Sequence, residues 1–287
     1  MNQAIRIVVL VRNFVLAVLI VNIEEIEVIL NNLNLNKGAG SDGIPSIFLK
    51  NCSSSIAVPL CKLFQHSLNC GTFPEKLKHT LVFPIFKKGN ATDILNYRPI
   101  CILNSIEKVF ERIVHLKLNL LISHLLTKNQ HGFMKKRSTV TNLIEHTQEI
   151  AEALQDKKQT YVFYSDMSKA FDRVDHNRLI QKLHHIGISG TLLSWFKSYL
   201  YERSMEVVFN GSKSMPFTQI SGVPQGSING PFLFNIYIND VDSVVTSSIS
   251  LYADDMKLKR SITDTNDCIM LQNDINSIVN YSEENLF

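Results

Sequence analysis

The sequence predicts an α+β fold, and three observations predict it. Amphipathic helical stretches and short apolar runs rich in branched and aromatic residues share the chain. Two pairs of apolar runs are joined by turn signals, Asn210-Gly211 and Ala253-Asp254-Asp255, which reads as antiparallel hairpins. Helices and hairpins mix without a strand–helix–strand rhythm, and no internal repeat occurs. With 287 residues the chain has room for about two domains or one large one. Apolar residues at 45% and charged residues at 19% exclude a disordered tail or a coiled coil. Five cysteines are too few for a disulfide scaffold and odd in number, so a reducing compartment is the default.

The elements follow in order. Residues 7–11 and 14–21 are apolar but interrupted by Arg12 and Asn13. Neither piece reaches the ~18 residues of a spanning helix, and no small-residue cleavage site follows. Residues 1–23 are therefore expected to be a buried strand or helix or an apolar leader, with no stable membrane partner. Ile26, Ile29, Leu30 and Leu33 sit at helical spacing within residues 23–35. Lys37-Gly-Ala-Gly-Ser-Asp-Gly43 forms a polar loop. Residues 56–70 read as a helix stopped by Gly71 and Pro74, and 81–86 as a strand. Tyr97-Arg98-Pro99 reads as a turn. Residues 105–126 read as a long helix with Glu107, Lys108, Glu111 and Arg112 on exposed faces. After a loop at 130–137, helix returns over 138–155. Residues 160–165 read as a strand running into Asp166. Helices are expected over 176–186, 190–201 and 231–241, and a tight loop over 222–227.

Charge is distributed unevenly. Residues 75–137 hold twelve basic and four acidic side chains, net +8, while the remainder carries −5. Such asymmetry suggests a polyanion partner held by one part of the molecule. A lysine-rich solvated surface is the competing reading.

The carboxylates suggest a chemistry. Asp254 and Asp255 lie between two apolar runs, where adjacent charges repel and lose solvation. A hard divalent cation would compensate them, and Mg²⁺ prefers few protein carboxylates plus substrate phosphates. Asp166 can complete a site for two ions ~3.5–4 Å apart, the arrangement that clamps an in-line phosphoryl displacement. Taken alone, the Asp-Asp pair reads better as a solvated turn.

Asp166-Met-Ser-Lys-Ala-Phe-Asp172, Ser221-Gly-Val-Pro-Gln-Gly-Ser-Ile-Asn-Gly-Pro231 and Tyr252-Ala-Asp-Asp255 occur in that order. Upstream stand Lys37-Gly-Ala-Gly-Ser-Asp-Gly-Ile-Pro45, Val82-Phe-Pro-Ile-Phe-Lys-Lys-Gly89, Asn96-Tyr-Arg-Pro-Ile100, and Gln130-His-Gly-Phe133 with Ser138-Thr139. From about residue 24 onward the chain resembles the reverse transcriptases of non-LTR (LINE-like) retrotransposons, of the jockey and CR1 kind. The resemblance implies a right-hand polymerase fold, with fingers over 24–145 and a palm of antiparallel sheet and helices over 146–287. It implies RNA-directed DNA synthesis, with an RNA template, a DNA primer and dNTP as partners. The cofactor implied is a pair of Mg²⁺ ions, for which Mn²⁺ can substitute.

The resemblance also assigns roles. Asp166 and Asp254 would be the main metal ligands, with Asp255 as third carboxylate. Phe171 would lie under the incoming sugar and exclude a 2′-hydroxyl; a core phenylalanine at a strand-to-helix corner is its other reading. Gln225 and Gly226 would lie beside the templating pair, glycine letting backbone approach the nucleic acid closely. Lys87, Lys88 and Arg98 would meet the triphosphate or template. Asp172 is expected to be structural. The family usually carries leucine where Asn229 stands, so this polar residue is expected to disturb helix packing or face solvent. The family continues into a primer-grip hairpin and a thumb, so the expected chain lacks its thumb and extends primers poorly. The competing function is a catalytically inactive mobile-element remnant that retains only the fold or weak nucleic-acid binding. Cys52, Cys61 and Cys70 with His66 lack zinc-ligand spacing and are expected to pack a helix. Trp195-Phe196 is expected in the core.

Overall fold

The computed structural model of the chain describes residues 8–10 and 13–287. Strands β1 (Val8–Leu10) and β2 (Asn13–Val15) pair antiparallel. The following residues join the core: Leu16 and Leu19 are buried, and the Leu16 N–H donates to the Gly187 carbonyl at 2.8 Å. The end of the apolar leader is therefore a structural strap, whereas residues 1–7 and 11–12 of the same stretch lie outside the described residues. No described helix is long and apolar enough to cross a membrane.

Three helices follow: α1 (Ile23–Asn31), α2 (Ser46–Asn51) and α3 (Ser53–Cys70). Then come β3 (His79–Phe86), β4 (Tyr97–Ile102), α4 (Ser105–Ile122) and α5 (Thr139–Gln155). The second half runs β5 (Gln159–Asp166), α6 (Ala170–Arg173), α7 (His176–His185), α8 (Gly190–Leu200) and β6 (Arg203–Phe209). It ends with β7 (Ser212–Lys213), β8 (Phe217–Gln219), α9 (Asn229–Tyr237), β9 (Ser248–Tyr252), β10 (Asp255–Ile262) and α10 (Thr265–Glu284).

Two larger sheets organise the molecule. One is antiparallel, in the order β5-β10-β9. The other runs β4-β3-β6-β7, with β8 also on β6. Its β3–β6 pairing is parallel and brings together His79 and Ser204, 125 residues apart. No local turn signal could announce that pairing. It also carries the second sheet across residue 145, where fingers and palm were expected to divide. A single buried cluster binds the helices to the β5-β10-β9 sheet, with Trp195 packed edge-on against Phe73 and Phe110 and stacked on Tyr199.

Two local expectations are corrected. Tyr97-Arg98-Pro99 is strand, not turn. The β4 strand lies at a sheet edge, where the missing proline N–H breaks no ladder bond. Its partner opposite is Pro84, beyond the part of β3 that β6 covers. Glu107 and Glu111 are fully buried, not exposed. They fall on the same helical stripe as Phe110, Val114 and Leu118, and a distant arginine, Arg203, makes their burial tolerable.

Candidate active site

Strand pairing brings the first two acidic residues together. Asp166 ends β5 and Asp255 opens β10, and the two are direct cross-strand partners. Paired residues project to the same face of a sheet, and both side chains are exposed. Asp255 also pairs with Tyr252 across the β9–β10 turn, leaving Ala253 and Asp254 as its two central residues. Asp254 is half-buried, and its carboxyl is pushed up, first by burial and then by the charges of Asp255 and Asp166; Arg98 pulls it down. The four groups therefore share one electrostatic neighbourhood.

No salt bridge among the described residues involves any of the three carboxylates. Nor are three metal-ligating side chains gathered closely enough, among the described residues, to hold an ion by themselves. Uncompensated oxygen donors beside one another still fit Mg²⁺, which keeps several waters and draws part of its shell from substrate phosphates. The adjoining hollow of about 530 Å³ is lined by Asp166, Asp255, Tyr164, Tyr252, Asn142 and Lys257, among others.

The turn itself is strained and held. Ala253 has φ +56°, a left-handed conformation that costs a residue with a Cβ about 1–2 kcal/mol. Its N–H donates to Gln130 Oε1 at 2.8 Å, and its carbonyl accepts from Gln130 Nε2 at 3.2 Å. The segment carrying Gln130 runs alongside β9. The Leu251 N–H donates to Asn129 O at 2.8 Å, and the His131 N–H donates to Leu251 O at 2.9 Å. Gly132 passes so close that a Cβ there would sit 2.4 Å from the Ala253 nitrogen. The block Gln130-His-Gly-Phe133 was visible in sequence, but no pattern there showed that it grips the Asp254 turn.

The other expected site residues divide. Arg98 lies exposed on β4 within electrostatic reach of Asp254. Lys87 follows β3 at the exposed end of the hairpin, its N–H donating to Asn96 O at 2.8 Å, and no described contact ties it to the carboxylates. Phe171 is partly buried, stacked on Phe234 at 4.3 Å and edge-on to Phe133 at 5.9 Å. Gln225 donates through Nε2 to Asp172 Oδ1 at 2.6 Å, which gives Asp172 a structural partner. The Gln225 carbonyl accepts from the Cys101 N–H at 3.0 Å, so the 221–227 loop docks on β4. Gly226 has φ +104°, and a Cβ there would lie 2.7 Å from Cys101 O. In the folded chain, its missing side chain admits the Cys101 backbone. Asn229 neither faces solvent nor finds a partner: it is buried, and neither amide atom meets a hydrogen-bond partner among the described residues.

The paired carboxylates of β5 and β10 and the Asp254 turn thus lie within electrostatic reach of Arg98 on β4. The chain belongs to the reverse transcriptase (RNA-dependent DNA polymerase) family, whose pattern it matches over residues 85–285. It is 32% identical over 77% of its length to the "Probable RNA-directed DNA polymerase from transposon BS" of Drosophila melanogaster. It is 29% identical over 82% of its length to the RNA-directed DNA polymerase from mobile element jockey of the same species. A third relative, the type-1 retrotransposable element R1DM 115 kDa protein, is 28% identical over 82%. These matches place the chain among non-LTR retrotransposon reverse transcriptases. It spans about a quarter of the length of these relatives: 25%, 27% and 23%.

Proposed function

We propose that this chain carries the polymerising centre of an RNA-directed DNA polymerase, joining a dNTP to a primer 3′-hydroxyl on an RNA template with release of pyrophosphate. The observation that carries the proposal is the pairing of Asp166 with Asp255 across β5 and β10, with Asp254 in the adjoining turn and Arg98 within reach. Asp166, Asp254 and Asp255 would hold two Mg²⁺ ions. When bound, Mg²⁺ lowers the pKa of the attacking hydroxyl and neutralises the leaving group. The protein residues position and bind. Arg98, and Lys87 from the hairpin end, supply cationic donors for the triphosphate. The Phe171 ring, braced by Phe234, supports the sugar and disfavours a 2′-hydroxyl. Gln225, fixed by Asp172 and β4, supports the templating pair.

Primer extension on an RNA template by this chain, compared with Asp254→Asn, tests the reading. Extension that requires Asp254 and a divalent cation supports it. Extension unchanged in Asp254→Asn refutes the site. No extension by either protein supports the inactive-remnant reading instead.

A further inference from the structure

We infer that Gln130 is a positioning residue for the metal site: its side-chain amide sets the backbone of Ala253 and thereby the placement of Asp254 and Asp255. The inference rests on the proposal that these two carboxylates bind metal. Gln130 is 1% exposed, so its amide has no solvent alternative. Two of its three side-chain hydrogen bonds go to Ala253. Oε1 accepts the N–H of Ala253 at 2.8 Å and of Gly132 at 2.6 Å, while Nε2 donates to the Ala253 carbonyl at 3.2 Å.

The amide thus pairs with both polar groups of one residue, as a neighbouring strand would. It does so at the residue with the disfavoured backbone, directly before Asp254. Its own segment is pinned from two sides. Backbone bonds join residues 129 and 131 to Leu251, and Asn235 Nδ2 on α9 donates to Gly132 O at 3.0 Å. Without the amide, the turn would lose the partners of Ala253 and could relax away from its left-handed conformation, carrying both carboxylates with it.

His131 supplies the control. Its side chain bonds Thr141 Oγ1 at 2.8 Å and Glu145 Oε2 at 2.9 Å, tying the same segment to α5 without touching Ala253. The experiment compares the full chain with Gln130→Met, His131→Gln and Asp254→Asn. It measures Mn²⁺ affinity by electron paramagnetic resonance, hydrogen–deuterium exchange over residues 251–256, and melting temperature. Gln130→Met should weaken Mn²⁺ binding roughly 10- to 100-fold, the range for partners that orient metal ligands, and speed exchange over 251–256. His131→Gln should lower the melting temperature and leave Mn²⁺ affinity unchanged.

If Gln130→Met binds Mn²⁺ as the parent does, or if both variants lose affinity in proportion to lost stability, the positioning role is wrong. Asp254→Asn separates the two levels. Unchanged Mn²⁺ binding in that variant overturns the metal reading and this inference together, whereas sensitivity there with none at Gln130 overturns this inference alone. Gln130→Glu covers the case in which the methionine variant does not fold. It keeps the acceptor and loses the donor to the Ala253 carbonyl. It is judged on exchange over 251–256, since its added charge would itself attract Mn²⁺. Exchange as slow as in the parent would refute the inference.

Discussion

Glu107→Gln should not destabilise the chain at pH 7, while Arg203→Met should be severely destabilising. Glu107 and Glu111 are fully buried around one guanidinium, Arg203, which is 1% exposed. Arg203 Nη2 lies 2.6 Å from Glu107 Oε1 and 3.2 Å from Thr80 Oγ1. Glu111 accepts the Ile228 N–H at 2.7 Å and the Tyr199 hydroxyl. With both carboxylates ionised, this dry pocket would hold an uncompensated negative charge. Glu111 has two donors that favour its anion, whereas Glu107 Oε2 meets no partner among the described residues. Burial, opposed by Arg203, pushes the Glu107 carboxyl up to about 8. Burial thus favours the protonated form of Glu107, of which glutamine is the neutral isostere. The expected loss is under about 1 kcal/mol near pH 5, the net scale of one hydrogen bond, and it turns into a gain as pH rises, because the parent must then take up a proton to fold. Arg203→Met instead strands the acidic pair and should cost about 3–5 kcal/mol. The pH dependence has a definite sign. A carboxyl raised from 4.5 to about 8 by folding contributes stability at low pH that is lost as pH rises through that window. The slope is at most about 1.4 kcal/mol per pH unit. Urea unfolding of parent and Glu107→Gln from pH 5 to pH 9 isolates the effect, because unrelated groups cancel in the difference. The parent should lose stability relative to the variant as pH rises. A loss of several kcal/mol in Glu107→Gln at pH 7, or a difference that grows in the opposite direction, would refute the assignment of the proton.

Asn229→Leu should stabilise the chain by about 1 kcal/mol or more, since each unpaired buried polar group costs about 1–3 kcal/mol; a calorimetric melting temperature that does not rise would show that the site cannot accept the larger side chain. Gly226→Ala should destabilise by about 1–3 kcal/mol from its positive φ alone, with the contact against Cys101 O adding to it, and chemical denaturation checks this. Binding to an RNA–DNA hybrid should weaken steeply with salt, and Lys87→Ala should reduce the salt slope by about one if Lys87 meets a phosphate. A slope unchanged by that substitution would remove Lys87 from the proposed interface.

Local periodicity made most elements legible. The helix over 176–186, the hairpin at Asn210-Gly211 and the strand ending in Asp166 appear within a residue or two of their expected places. What sequence could not supply is pairing at a distance. Glu107 and Glu111 look like surface residues because nothing near them in the chain reveals Arg203, which sits in a strand brought alongside β3 by a parallel pairing. Pro99 looks like a turn because its permission to sit in a strand depends on that strand being an edge. Trp195-Phe196 reads as core, and both residues are buried, because two adjacent large aromatics on a helix with an apolar face have few alternatives.

The sequence blocks that carry the family resemblance are, in the folded chain, the places where distant segments touch one another. Residues 96–100 lead directly into Cys101, whose N–H binds the Gln225 carbonyl. The 166–172 block meets the 221–231 block three times, through the Val223 N–H on the Phe171 carbonyl at 2.9 Å, the Ser221 hydroxyl on the Asp172 carbonyl at 2.9 Å and Gln225 on the Asp172 side chain. The 130–133 block grips the 252–255 turn. At each of these crossings one partner is a glycine that leaves no room for a Cβ, at 132 against Ala253, at 222 against Asp172 and at 226 against Cys101. A substitution inside a block therefore has to satisfy a second block, while the intervening helices need only keep an apolar face. That asymmetry explains why motifs stand out in a sequence otherwise unremarkable in composition. It also explains why the roles of Gln130 and Gly226 become readable only once the blocks are seen in contact.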